Sequence, residues 1–173
     1  RQRQMCIRDR LDFIGQPLSA LGHFCFKFRL LGLCLFQHCV LFLWVTFPQL
    51  PEAFKVIKAW GFSYKTVAFV WLKLNKSGKG FFFGLGYWTR SNAEICLLAV
   101  KGKPKRVSKK VFQIIVTPLQ AHSKKPDETR ERIVELMGDL PRIELFARQK
   151  SPGWDVWGNE VENSIMLHSD ENI

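Results

Sequence analysis

Val40-Leu-Phe-Leu-Trp-Val-Thr46 is a run of six apolar side chains closed by one threonine, and it constrains the fold more than any other stretch of the chain. A strand alternates its side chains between two faces, so a strand apolar at every position must be covered on both. That is the setting of a central strand in a parallel sheet flanked by helices. The residues that follow supply the covering layers. Leu50 to Trp60 places Leu50, Phe54, Ile57 and Trp60 on one helical face, with Pro51 in the first turn and Gly61 just past the end. Phe62 to Leu74 is rich in β-branched and aromatic residues and leads into the loop Asn75-Lys-Ser-Gly-Lys-Gly80. Ala93 to Val100 and Val111 to Val116 read as further strands. Pro126-Asp-Glu opens a helix with acids in its first turn, buried through Ile133, Leu136 and Met137 and ended by Gly138. Arg142 to Ala147 and Asp155 to Trp157 are the last strands. This alternation predicts an α/β domain with a largely parallel sheet, and 47% hydrophobic residues suffice for its core.

The formal charge of +11 points to a polyanionic partner, because clustered cations gain affinity by releasing counterions from phosphates. Residues 101 to 125 carry eight Lys and Arg and no acid, with Lys103, Lys105, Arg106, Lys109 and Lys110 the candidate phosphate contacts. An ordinary solvated loop is the alternative reading of the same run. Cys6, Cys25, Cys34, Cys39 and Cys96 form no C-x-x-C pair and have no His at zinc spacing, so no metal site is expected. They read as reduced thiols of a cytoplasmic protein.

The first 38 residues are expected to be foreign to this domain. The chain opens on Arg1, and Met5-Cys-Ile-Arg-Asp-Arg10 can be encoded by ATG-TGT-ATA-AGA-GAC-AG, the end of a common transposase sequencing adaptor. Residues 11 to 40 are rich in Leu, Phe, Cys and Gly without helical or alternating period. A frame or assembly error accounts for them. A membrane span over Leu30 to Phe47 is the rival reading, interrupted by Gln37 and His38. The expected organisation is a suspect segment at 1–38, a domain at 39–162 and a flexible tail at 163–173.

Four segments occur in order: Val40 to Thr46; Gly86-Tyr-Trp-Thr-Arg-Ser-Asn-Ala-Glu94; His122-Ser-Lys-Lys-Pro-Asp-Glu128; and Ile143-Glu-Leu-Phe-Ala-Arg148 with Gly153-Trp-Asp-Val-Trp-Gly-Asn-Glu160. Together they resemble the mRNA adenosine N6-methyltransferase family founded on the seventy-kilodalton subunit of the eukaryotic enzyme, and especially its phage and bacterial DNA-modifying relatives. The resemblance covers about Cys39 to Glu160.

It implies a Rossmann-like S-adenosylmethionine-dependent methyltransferase domain in permuted motif order, here incomplete, acting on adenine in DNA or RNA. By resemblance Glu144 and Arg148 engage the ribose and neighbouring groups, and Asn159 and Glu160 the sugar or adenine edge. Phe146 closes the cofactor strand, and Lys124 and Lys125 supply the cation for the methionine carboxylate. For Glu144 an exposed strand residue, and for Arg148 a surface ion pair, are the alternatives. Asn92 and Glu94 fall where the family has a polar segment near cofactor and target base. Phe81-Phe-Phe-Gly-Leu-Gly86 resembles a mobile loop that closes over the active site, its glycines suiting a hinge. Homodimer and heterodimer both stay open, and no membrane partner is expected.

The family's Asp-Pro-Pro-Trp motif, whose Asp and Pro carbonyl hold the target amine while the aromatic stacks on adenine, is absent from this chain. Its place is upstream of residue 40. Losing the strand that carries it predicts an unpaired sheet edge and a chain unable to transfer methyl groups. A non-catalytic nucleic-acid-binding partner subunit of the same fold is the second functional reading.

Overall fold

The computed structural model describes the backbone of residues 3–7 and, in full, residues 38–121 and 124–165. Among the described residues seven strands form one sheet: β1 (Arg3–Ile7), β2 (Cys39–Val45), β3 (Ser63–Leu74), β4 (Ala93–Lys101), β5 (Ile114–Pro118), β6 (Arg142–Leu145) and β7 (Asp155–Trp157). Helix α1 (Leu50–Ala59) follows β2, and helix α2 (Glu128–Met137) precedes β6. The spatial order is β5-β3-β4-β2-β1-β6-β7.

Every residue of β2 is buried, as its unbroken apolar run requires. Leu41, Leu43 and Val45 pack on one face against Ala53, Val56 and Ile57 of α1. Val40, Phe42 and Trp44 pack on the other against Ile133 and Met137 of α2. Two helices thus sandwich the sheet. The stripe of α1 is rotated from the expected one. Phe54 is half exposed and sets its ring edge-on to Tyr64 at 5.1 Å, while Ala53 and Val56 take the inner positions. In α2, Thr129 is buried beside Ile133 and Met137.

The sheet is largely parallel, as its alternating pattern predicts, with one reversed strand. β4 runs antiparallel to both β2 and β3, while the other pairings are parallel. The cause is the connection between β3 and β4, which contains no helix. Without a crossover helix the chain returns beside the strand it has just left, and the return is antiparallel.

Arg3–Ile7 lies between β2 and β6, pairing with both in parallel register. The edge expected to stand open is therefore closed, by the very residues expected to be foreign. The strongly apolar stretch read alternatively as a membrane span resolves, over 39–45, into β2; residues 30–37 lie outside the described part. Among the described residues no helix is long and apolar enough to cross a membrane.

Candidate cofactor site at the carboxyl ends of the strands

The reversal of β4 decides which loops share an end of the sheet. The parallel strands deliver their carboxyl ends, with the loops after β3, β5, β6 and β7, to one edge. There the start of α2 also lies, and ligands of open α/β sheets bind. β4 enters from that edge and exits at the other.

Phe146, just past β6, has φ 58°, and it is the one non-glycine residue with positive φ among the described residues. A bulky side chain in the left-handed region costs roughly 1–2 kcal/mol and persists only where neighbours enforce it. Here the ring stands edge-on to Trp157 at 5.6 Å, and Ala147 N–H donates to the Trp157 carbonyl at 3.0 Å. A Cβ on Gly158 would come within 2.1 Å of the Ala147 carbonyl oxygen, so only glycine admits this contact. The ends of β6 and β7 are thereby clamped together. Arg148, Asn159 and Glu160 fan out exposed beyond the clamp, with Arg148 Nε 3.5 Å from Glu160 Oε1.

Lys124 and Lys125, adjacent in sequence, join different networks. Lys125 is buried and lies 3.1 Å from Glu94 Oε2, while Lys73 Nζ reaches Glu94 Oε1 at 2.5 Å. Burial disfavours the charge on Glu94, but the two ammonium groups outweigh it and hold its carboxyl below the ordinary 4.5. Asn92 sits beside this triad, its carbonyl accepting from the Lys73 N–H at 2.9 Å. Lys124 instead bonds Asp127 at 2.7 Å; Asp127 bonds Arg130 at 2.7 Å; and Arg130 binds Glu144 through two bonds of 2.8 and 3.3 Å. Burial raises the Asp127 carboxyl, and Lys124 and Arg130 more than reverse that. Burial likewise works against charge on Arg130, and the Glu144 carboxylate overrides it, so the guanidinium is held above its usual pKa.

Glu144 is only 2% exposed, which removes the exposed-strand alternative. Its carboxylate ties β6 to α2, and the ribose contact implied for it by resemblance would require the Arg130 pair to open. Sequence reasoning missed Lys73, Asp127 and Arg130. The i,i+3 spacing of Asp127 and Arg130 was a legible signal; the partner of Lys73, 21 residues away, was not.

The basic run does not lie beside this site. Lys103, Lys105, Arg106, Lys109 and Lys110 are exposed in the segment after β4, where Lys103 N–H donates to His38 Nδ1, just ahead of β2. Val107 and Ser108 donate to the Leu136 carbonyl near the end of α2. That is the amino edge of the parallel strands, separated from the site by the length of β4, about 30 Å for a strand of this size.

A cleft of about 730 Å³ runs along α2 and is walled by Arg130, Glu131, Arg142, Lys150 and Trp154; no expected cofactor residue lines it. The described residues contain no group of three or more His, Cys, Asp or Glu able to hold a metal ion.

A two-faced α/β sheet with its polar residues gathered at the carboxyl ends of its parallel strands has the Rossmann-like arrangement. The MT-A70 family profile matches residues 31–160, beginning ahead of the boundary expected at 39. The type II methyltransferase M.MunI of Mycoplasma sp is 38% identical over 138 residues, 78% of this chain and 56% of that protein. The human N(6)-adenosine-methyltransferase catalytic subunit METTL3 is 31% identical over 134 residues, 75% of this chain and 23% of that protein. The Drosophila melanogaster MT-A70-like N(6)-adenosine-methyltransferase is 30% identical over 132 residues. The chain belongs to the MT-A70 family. It spans 56% of the bacterial relative and 23% of the human one.

Proposed function

We propose that this chain is the cofactor-holding part of an adenine N6-methyltransferase that acts on DNA or RNA with S-adenosylmethionine. The observation that carries the reading is the convergence of Lys125, Phe146, Arg148, Asn159 and Glu160 on the carboxyl edge of the sheet. Arg148, Asn159 and Glu160 are exposed there, with donors and an acceptor suited to a ribose and an adenine edge. Lys125, buried and charged, suits the methionine carboxylate, which would take the place Glu94 holds. The bound cofactor supplies an electrophilic methyl group. What the chain's own residues contribute is orientation, because a direct displacement at carbon needs the amine held in line.

The expected test is titration calorimetry with S-adenosylmethionine. Arg148→Ala and Asn159→Ala should each weaken binding about tenfold or more, each removing a polar partner worth about 1–3 kcal/mol. Wild-type affinity in both variants would move the cofactor elsewhere.

The second reading, a non-catalytic nucleic-acid-binding subunit, is favoured by one observation. The residues following β1, which neighbours β6, read Arg8-Asp9-Arg10 and contain neither proline nor an aromatic ring. That triplet supplies neither an aromatic ring to stack on an adenine nor a prolyl carbonyl for its amine. Both readings share the cofactor edge, and they part on methyl transfer.

A further inference from the structure

We propose that the connection between β3 and β4, residues 75–92, is a stacking finger that grips an unpaired nucleotide of the nucleic-acid strand, with Tyr87 and Trp88 as its tip. The inference extends the methyltransferase reading and moves the main nucleic-acid contact away from the basic run at 103–110.

Position comes first. The finger leaves the carboxyl end of β3 and returns into the first residue of β4, so it rises from the edge that carries the cofactor residues. Its foot is the Lys73–Glu94 pair itself: Lys73 N–H donates to the Asn92 carbonyl at 2.9 Å, and Phe82 N–H donates to the Lys73 carbonyl at 2.8 Å. The basic run stands at the opposite edge.

Shape comes second. A Cβ on Gly84 would lie 1.9 Å from the Ser91 carbonyl oxygen, and one on Gly86 would lie 1.8 Å from that of Thr89. The two glycines therefore permit a close approach of backbone to backbone. The segment folds tightly on itself and presents 87–90 outward. Tyr87 and Trp88 are 92% and 91% exposed, with rings 5.2 Å apart at 88°. Two perpendicular faces make a corner: a base can stack on one ring while its edge meets the other. Exposed aromatic rings of this kind serve unpaired bases because every base has a π-face.

Charge comes third. The finger carries Lys76, Lys79 and Arg90 and no Asp or Glu between Lys73 and Glu94. Arg90 lies over the Phe83 ring at 4.3 Å, one cation held against an aromatic within reach of a phosphate. Cations interleaved with exposed rings complement a strand of bases and phosphates. They do not complement a second copy of a chain whose net charge is +11.

The test measures binding, not transfer, and so stands apart from the enzymatic reading. Fluorescence anisotropy with the full chain would use labelled oligonucleotides of about 12 nucleotides: adenine-containing DNA, the same sequence in RNA, and an abasic strand of equal length, each from about 50 to 200 mM salt. Tyr87→Ala/Trp88→Ala should weaken binding to the base-bearing strands tenfold or more, leave the abasic strand unchanged and keep the salt slope. Tyr87→Phe/Trp88→Phe should stay within about twofold of wild type, since the π-faces remain. The DNA and RNA arms say which strand the corner takes. Unchanged affinity in the alanine variant, or equal losses on base-bearing and abasic strands, would overturn the proposal. So would a fall in sedimentation mass, which would assign the finger to a second copy. Calorimetry of S-adenosylmethionine on the same variants reads the cofactor site separately; its failure in wild type would sink the methyltransferase reading alone.

Discussion

Replacing Arg130 by methionine would leave the Glu144 carboxylate, 2% exposed at the third position of β6, without the guanidinium that binds both its oxygens at 2.8 and 3.3 Å. Methionine matches the length of the arginine stem, so packing is largely kept and the loss isolates the charge. Removing one partner of a buried pair typically costs about 3–5 kcal/mol, because the remaining charge keeps its desolvation penalty and loses the contact that offset it. For a chain of this size each kcal/mol moves the melting temperature by about 2–4 °C. Arg130→Met should then lower Tm by about 6–20 °C in scanning calorimetry or thermal circular dichroism. Glu144→Gln should cost less, since Arg130 is 11% exposed and still holds Asp127 at 2.7 Å. The double variant Arg130→Met/Glu144→Leu, which removes both charges and fills the space, should recover most of the stability. A cost below about 1 kcal/mol for Arg130→Met, or a double variant no more stable than the single, would refute the claim that this pair is buried and tightly coupled. The double variant also tests the ribose role implied for Glu144: if it binds S-adenosylmethionine as wild type does, Glu144 is a brace between β6 and α2.

Phe146→Gly should be about 1 kcal/mol more stable than Phe146→Ala in urea unfolding, since both lose the ring and only glycine relieves φ 58°; equal stabilities would show that the residue is unstrained. Glu94 is held below 4.5, so its stabilisation is full above that value and is lost as pH falls through the lowered folded pKa. Unfolding free energy measured from pH 7 to pH 3 should therefore decline more steeply in wild type than in Glu94→Gln, and parallel curves would argue against the triad. Gly158→Ala should weaken cofactor binding through displacement of Asn159 and Glu160, its Cβ meeting the Ala147 oxygen at 2.1 Å; calorimetry at wild-type affinity would contradict this. The chain as it stands should not transfer labelled methyl groups to adenine-containing DNA or RNA, for want of an Asp-Pro-Pro-Trp segment, and measurable turnover would contradict that.

What the sequence revealed and what it hid divide along one physical line. Periodicity and punctuation located β2, α1 and β7 within a residue or so, because burial on both faces, a first-turn proline and a trailing glycine act locally. Strand direction is not local. Nothing in the apolar run Ile95-Cys-Leu-Leu-Ala-Val100 records that β4 runs backwards. From that one reversal it follows that the basic run, near Lys124 and Lys125 in sequence, lies a sheet's length from them in space. The same limit applies to Lys124 and Lys125, which read as one cationic pair although their partners lie on different elements. Glycines 84 and 86 were visible, but a hinge and a close backbone approach call for the same residue, and the close approach became evident only in the fold.

Glu94 belongs at once to the finger's foot and to the proposed cofactor edge, so on those two proposals any coupling between the ligands has a shared residue to pass through. A carboxylate that draws Lys125 away leaves Glu94 to Lys73, whose backbone holds both rungs at the base of the finger. Whatever factor the cofactor imposes on nucleic-acid affinity, the nucleic acid must return to the cofactor, since a coupling free energy between two sites has no preferred direction.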